Sequence, residues 1–375
     1  MSSTFKYALV LTTLFLAAAC KEKRSYRDFP ENQNVYAQYF SINRDNDNRV
    51  VLYINENWGS ERKITEYRLI DREVGGETGY GSDEIPVPLR RVVCMSSSHI
   101  AYINTLKKSN TIVAISGSQY INDSALIGRI NKGEVYDIGF ESSINYEQLL
   151  TLSPDLIFTY GISGENNSYI GKLRDMGFRV IVLGDYLEEH PLGKLEYLRL
   201  FGALYGKSEM ADSIYTLVKE RYIELRDMVK EVPERPKVLL NAPWKDVWYI
   251  PGKESYMTIL IEDAGGEVLL SKAGKTIPYS VEEVYLKASG SEFWLNPNYY
   301  SDLKELASSN PLIAKLPVIS AGKVYNNTKR RNSTGGSDFW EGGVVEPHII
   351  LNDLIKILHP DIGDGGDLKY YIELL

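Results

Sequence analysis

Two hydrophobic rhythms divide the chain. Residues 36–90 alternate apolar and polar positions, as in Val50-Val51-Leu52-Tyr53-Ile54 and Tyr67-Arg68-Leu69-Ile70, with glycine and asparagine between the runs. A period of two sends successive side chains to opposite faces of a strand, so this stretch predicts a β extension of short strands. From Arg91 onward, short apolar runs are separated by amphipathic segments of helical length, the alternation that builds parallel sheets. Strands are predicted at 92–95, 111–115, 155–159 and 179–183, with helices at 99–107, 145–152 and 167–177. A second half repeats the plan, with strands near 237–241, 266–270, 292–295 and 322–325 and helices near 255–264, 280–288, 301–309 and 344–358.

Between the halves, residues 191–231 carry a helical pattern broken near Gly206, with Ser208 as the expected N-cap of the second piece. Ala211, Ile214, Val218, Tyr222, Leu225 and Val229 fall at three- and four-residue steps and mark one buried stripe. At 1.5 Å per residue this piece would be about 35 Å long, and Pro233 and Pro236 stop it before the second half. The expected fold is α/β: two Rossmann-like lobes joined by a long linker helix, with the β extension on the first lobe. The boundaries are a β extension at 36–90, a first lobe at 91–190, the linker at 191–235 and a second lobe at 236–375.

The extreme N-terminus follows another logic. Lys6 precedes an apolar run of 13 residues from Tyr7 to Ala19, short of the ~20 that a membrane-crossing helix needs. Residues 1–19 therefore read as an export signal. The run ends in Leu16-Ala17-Ala18-Ala19-Cys20, which resembles a lipobox, so Cys20 is the expected lipidation site and 20–35 a polar tether. The address is the periplasm or cell envelope, anchored to a membrane by lipid.

Composition then removes function classes. The 375 residues hold 42 Lys+Arg against 50 Asp+Glu, a net charge of −8, so the basic footprint of a nucleic-acid binder is missing. Four histidines and two cysteines leave little for a zinc cluster or a disulfide framework. Cys94 lies in the apolar run Val92-Val93-Cys94-Met95 and reads as a buried structural thiol. Gly274-Lys275-Thr276 invites comparison with a phosphate-binding loop, but the glycine needed five residues before Gly274 is Leu269. No nucleophile elbow, zinc-protease helix or dinucleotide glycine pattern follows a predicted strand. No cofactor, metal or catalytic residue is therefore expected, and an enzyme using a two-lobed α/β cleft is the rival reading.

The remaining motifs, in their order and spacing, resemble the bacterial binding proteins of ABC importers for ferric siderophores, haem and vitamin B12. They are Arg91-Val-Val-Cys-Met-Ser96, the phrase Asn145-Tyr-Glu147-Gln-Leu-Leu-Thr-Leu-Ser-Pro-Asp155, the bridge Leu200-Phe-Gly202-Ala-Leu-Tyr-Gly206, the segment Tyr249-Ile-Pro-Gly252 through Gly266, and the tail Gly335-Gly-Ser-Asp338-Phe-Trp340. The resemblance covers roughly residues 90–360 and implies a monomer that binds a small iron complex or corrinoid between its lobes and delivers it to an ABC permease. It also implies that one glutamate per lobe docks on permease arginines. The matching positions are Glu147 and Glu282, with Glu283 open as the second-lobe acid because that phrase has Ser291-Glu292 where Pro-Asp is usual.

Strand C-terminal ends should face the cleft, which nominates Ser98, His99, Tyr120 and Tyr160 from the first lobe. The second lobe offers Trp244, Trp248, Tyr279, Arg330 and Trp340. Aromatics there would stack on a flat or bulky chelate, and the arginine would meet the charge of an anionic iron complex. An iron complex is preferred to a corrinoid.

Overall fold

The computed structural model describes residues 34–56, 63–75, 79–140, 143–161, 168–363 and 365–375. The export signal, most of the tether and Cys20 lie outside the described residues.

The β extension forms a four-stranded sheet of β1 (Phe40–Arg44), β2 (Val50–Asn55), β3 (Ile64–Asp71) and β4 (Glu84–Val87). The first three strands run antiparallel and β4 joins β3 in parallel. Phe40, Leu52, Ile54 and Ile85 are fully buried in the main core, which is where the period-two alternation places them. Side chains fasten this sheet to the first lobe. Tyr67 Oη donates to Val180 O at 2.9 Å, Arg179 Nε donates to Glu84 O at 2.8 Å, and Arg174 pairs with Glu56 at 2.8 Å.

The first lobe is a parallel sheet of β5 (Val92–Cys94), β6 (Ile112–Ile115), β7 (Tyr136–Asp137), β8 (Leu156–Tyr160) and β9 (Val180–Leu183), in the order β7-β6-β5-β8-β9. The second lobe begins with β10 (Lys237–Leu240) and continues through β11 (Val247–Ile250), β12 (Glu267–Val268), β13 (Ile277–Ser280), β14 (Phe293–Leu295), β15 (Val324–Asn326) and β16 (Ile372–Glu373). Its main sheet has the order β12-β10-β14-β15-β16, parallel except for β16. Each sheet starts in its interior and reverses direction once, between β5 and β8 and again between β10 and β14. In open α/β sheets such a reversal opens a crevice at the strand C-termini. The two-lobed α/β architecture is thus present.

Sequence periodicity missed several short elements, five of them near the cleft-forming sheets. The antiparallel pair β11/β13 sits apart from the main sheet, the two-residue β7 and β16 are edge strands, and the helix Ser124–Asn131 begins at Asp123, whose Oδ1 accepts from Leu126 N at 2.6 Å. Each is too short to establish a period.

The linker is a helical hairpin. Pro191–Leu204 descends along the first lobe, Gly206 turns the chain at φ 61°, and Ser208–Met228 runs back toward the second lobe. The pairs Gly202 with Ala211, Arg199 with Asp212 and Glu196 with Tyr215 show the antiparallel register. At 1.5 Å per residue the 21-residue return helix is about 31 Å long. Ala211, Tyr215, Val218, Tyr222 and Leu225 form its buried stripe. Ser208 is the first helical residue; Lys207 occupies the cap position and caps nothing through its side chain.

Ahead of β1, residues 35–39 lie as a strap across this hairpin. Glu196 accepts from the backbone N–H groups of Val35, Tyr36 and Ala37 at 2.6–2.9 Å and from Tyr215 Oη at 3.0 Å. Glu188 accepts from Gln38 and Tyr39 N–H at 2.9–3.1 Å. Both carboxylates are buried. A side chain at Gly193 would press on the Tyr36 carbonyl, 3.3 Å from a Cβ placed there, so glycine admits the strap. Burial pushes Glu188 up to about 8, against the pull of the two amides it holds.

Candidate functional site: the interlobe cleft

A cavity of about 600 Å³ opens between the lobes. From the first lobe and the linker come Tyr186, after the end of β9, and Lys194, on the descending helix. The second lobe supplies Tyr256, Tyr299 and Trp340, the cation Arg331, and Asn241, Asn296, Asn298 and Asn327 at the ends of β10, β14 and β15. Asn241 and Asn296 flank the β10–β14 reversal, so sheet topology itself puts them at the crevice. No acidic residue lines the cavity among the described residues.

The sequence candidates fall into three groups. Trp340 lines the cleft, 47% exposed, with its ring 6.0 Å from Tyr256. Tyr160 stands beside the lining residue Tyr186, ring centroids 6.4 Å apart, and Tyr120 lies at the lobe contact against Phe140. Neither these two nor the other six are among the described lining residues. Ser98 is buried, its Oγ donating to Asp185 Oδ2 at 2.6 Å, and His99 is fully buried near Phe158 and Phe201. Trp248 packs at a tilt against Trp294 in the second-lobe core, ring centroids 5.2 Å apart, and donates Nε1–H to Leu240 O at 3.0 Å. Tyr279 is buried with its hydroxyl on Leu270 O, and Trp244 is exposed at the start of the β11/β13 pair.

Arg330 pairs with Asp338 at 2.5 Å and lines a separate polar cavity of about 300 Å³, while its neighbour Arg331 takes the cleft. The physical reason is the strand alternation of β11 for Trp248, which turns it inward as Tyr249 turns outward, and the helical start at Ser97 for His99, which faces it to the core.

Lys194, Tyr186, Tyr256 and the asparagines went unread. Lys194 sits among apolar residues in Pro191-Leu-Gly-Lys-Leu, and a lone lysine in an apolar helix was its only signal. The asparagines had a stronger one: Leu240-Asn241, Leu295-Asn296-Pro-Asn298 and Tyr325-Asn326-Asn327 each close a strand with the same residue.

One side of the cleft is bridged directly. Glu341, buried, accepts from Asn122 and Asp123 N–H of the first lobe at 2.8 Å each. Asn332 Nδ2 donates to Ile121 O at 2.6 Å and Thr334 Oγ1 to Gln119 O at 2.7 Å. A Cβ at Gly336 would lie 2.4 Å from the Tyr120 carbonyl oxygen, so this approach requires glycine.

Burial pushes Glu341 up to about 7 from 4.5, against the pull of the two amides. A raised folded pKa means that the stability this group contributes is complete below pH 4.5 and is lost as pH rises through 7. Glu341→Gln does not ionise there. Its urea midpoint relative to the parent should therefore rise between about pH 5 and about pH 8; a constant difference would refute the assignment.

The two docking candidates share one local design. Glu147 and Glu282 each occupy the second position of a short helix, Tyr146–Leu152 and Val281–Lys287, capped by Asn145 and Ser280. Both are exposed, and neither side chain has a hydrogen bond or ion pair among the described residues. Glu283 differs: its carboxylate closes a capping box with Ser280 N–H at 3.0 Å and faces Lys287 at 3.5 Å. Of the two second-lobe acids, Glu282 is the one left free.

Comparison with known proteins agrees with this architecture. An uncharacterized lipoprotein of Methanocaldococcus jannaschii is 26% identical over 310 residues, covering 77% of this chain and 70% of the relative. A periplasmic haem-binding protein of Pseudomonas aeruginosa superposes with a TM-score of 0.55 at 17% identity, covering 72% of this chain and 93% of that one. A periplasmic vitamin B12-binding protein of Vibrio cholerae gives a TM-score of 0.53 at 15% identity, covering 72% and 97%. The sequence profile described as periplasmic binding protein matches residues 92–330, from the first strand of the first lobe to the segment that closes on it, and the chain belongs to that family.

Proposed function

We propose that this protein captures an iron complex, a ferric siderophore or haem, in the interlobe cleft and delivers it to an ABC permease while anchored to the membrane by lipid on Cys20. The observation that carries the reading is the cleft's chemistry: about 600 Å³, aromatic faces from Tyr186, Tyr256, Tyr299 and Trp340, two cations and no described carboxylate. A pocket of this size lies in the range that buries a small-molecule ligand. The absence of acid from its wall suits a negatively charged complex. A corrinoid is the second reading. It rests on aromatic faces that could hold a corrinoid ring, and of the candidates Trp244, Trp248 and Trp340 only Trp340 is among the residues lining the cleft.

Titration of the purified protein with ferric siderophores, haemin and cyanocobalamin, followed by tryptophan fluorescence, tests the reading through Trp340. Silence toward all of them would overturn it, and turnover of a substrate would favour the rival enzyme. The anchor is tested separately. Cys20→Ser should move the protein from the membrane fraction to the soluble fraction and abolish labelling by a radioactive fatty acid; retention in the membrane would refute lipidation at this residue.

A further inference from the structure

The cleft has a charge pattern that the chain as a whole lacks. Acids outnumber bases to give a net charge of −8, yet Lys194 and Arg331 line the cavity and no described acid does. Lys194 is unusual among lysines in being 5% exposed. Its Nζ donates to the Asp185 carbonyl oxygen at 2.7 Å and forms no ion pair among the described residues. The nearby carboxylates are committed elsewhere, Asp185 to Ser98 Oγ at 2.6 Å and Glu188 to the strap amides. Burial draws the Lys194 pKa down, and the charges of Asp185 and Glu188 oppose that without touching the amine. An ammonium has three donors. Among the described residues one of them makes a hydrogen bond and the ammonium also lies 5.1 Å from the centroid of the Tyr256 ring, and a desolvated cation beside a ligand cavity is stabilised when an anion arrives.

The opposite wall is neutral and amide-rich. Asn241, Asn296 and Asn298 adopt left-handed backbone at φ 64°, 55° and 60°, a conformation that asparagine tolerates better than most residues. Asn296 is 5% exposed, and its Oδ1 makes no hydrogen bond although the amide lies beside the Tyr371 hydroxyl.

We propose that the cargo carries an anionic group that seats on Lys194, while its uncharged polar rim is held by Asn241, Asn296, Asn298 and Asn327. This rests on the binding-protein reading above and narrows its cargo. A carboxylate or a phosphate would satisfy Lys194 equally. The probes are therefore haemin and ferric citrate for carboxylates, cyanocobalamin for a phosphate, and a neutral ferric trihydroxamate as the uncharged control.

The full chain is titrated with each, alongside Lys194→Met, Lys194→Arg and Asn298→Asp. Asn298 is exposed and aspartate tolerates its backbone conformation, so that variant adds a carboxylate to the cleft at the loss of one hydrogen bond, from Asn298 Nδ2 to Ala242 O at 3.2 Å. Lys194→Met and Asn298→Asp should each weaken the bound anion-bearing probe about tenfold or more and Lys194→Arg by no more than about threefold, whereas Lys194→Met should weaken the neutral control by less than about threefold. Unchanged affinity in both Lys194→Met and Asn298→Asp overturns the inference, as does a trihydroxamate control that binds more tightly than each of haemin, ferric citrate and cyanocobalamin, the probes that carry an anionic group. Should Lys194→Met fail to fold, Asn298→Asp alone decides. Binding with unresponsive variants removes only the Lys194 assignment, whereas no binding of any probe removes the parent reading together with it.

Discussion

Glu196→Ala should lower the unfolding free energy by about 3–5 kcal/mol, the largest loss expected from any single substitution outside the apolar core. One buried carboxylate accepts four hydrogen bonds, three from the strap backbone and one from Tyr215. Truncation strands buried donors, each costing about 1–3 kcal/mol, less whatever the strap regains by peeling into water. Urea denaturation of Glu196→Ala, with Glu196→Gln beside it, checks this. The glutamine keeps one acceptor oxygen and should lose less than the alanine. Equal and small losses in both would mean that the strap contributes little to folding. Glu188→Gln should be milder still, because Glu188 with a pKa pushed up to about 8 is already largely protonated near neutrality.

The second large effect is expected in transport. Reversing both Glu147 and Glu282 to arginine should reduce uptake by roughly tenfold or more while leaving cargo affinity within about twofold. Each acid is exposed, sits in the first turn of a capped helix and has no side-chain partner among the described residues. Their removal therefore costs little folding energy: an acid in a first turn is worth about 0.3–1 kcal/mol. Under the docking proposal their worth would lie in a partner that reads one charge from each lobe, for which an uptake assay in cells is the measurement. Uptake at the parental level would refute docking through this pair, and reversal of Glu283 should not reproduce the effect because its carboxylate is engaged by Ser280 and Lys287.

Much of the architecture was legible because burial and period coincide. Val92-Val93-Cys94 and Phe293-Trp294-Leu295 are buried at every position, and an all-apolar run between turn signals has few alternatives to a central strand. The matching helix openings were legible because Asn145 and Ser280 each precede an acid-bearing first turn, and the structure caps both helices there. The cleft was harder. Trp248 and Tyr249 are adjacent aromatics, but only the pairing of β11 with β13 decides which one faces the core. Arg330 and Arg331 differ through one ion pair to Asp338, which the sequence does not announce. Lys194 was hidden for a deeper reason: a buried cation is set by tertiary neighbours from three segments, and no local pattern encodes them. The strand-terminal asparagines, by contrast, repeat three times in plain view and were overlooked because their common position emerges only once the strands lie side by side.

The strap has a mechanical corollary. Any tension reaching the folded body from its leader must pass through residues 35–39 and is borne by the clasp of Glu188 and Glu196 on the hairpin, before it can load either sheet. Under the proposed lipid anchor at Cys20, a leash fastened at this clasp would restrain how far the molecule drifts without pulling on either lobe's sheet, so that a tethered copy would present both lobes to a waiting transporter without first unhitching itself.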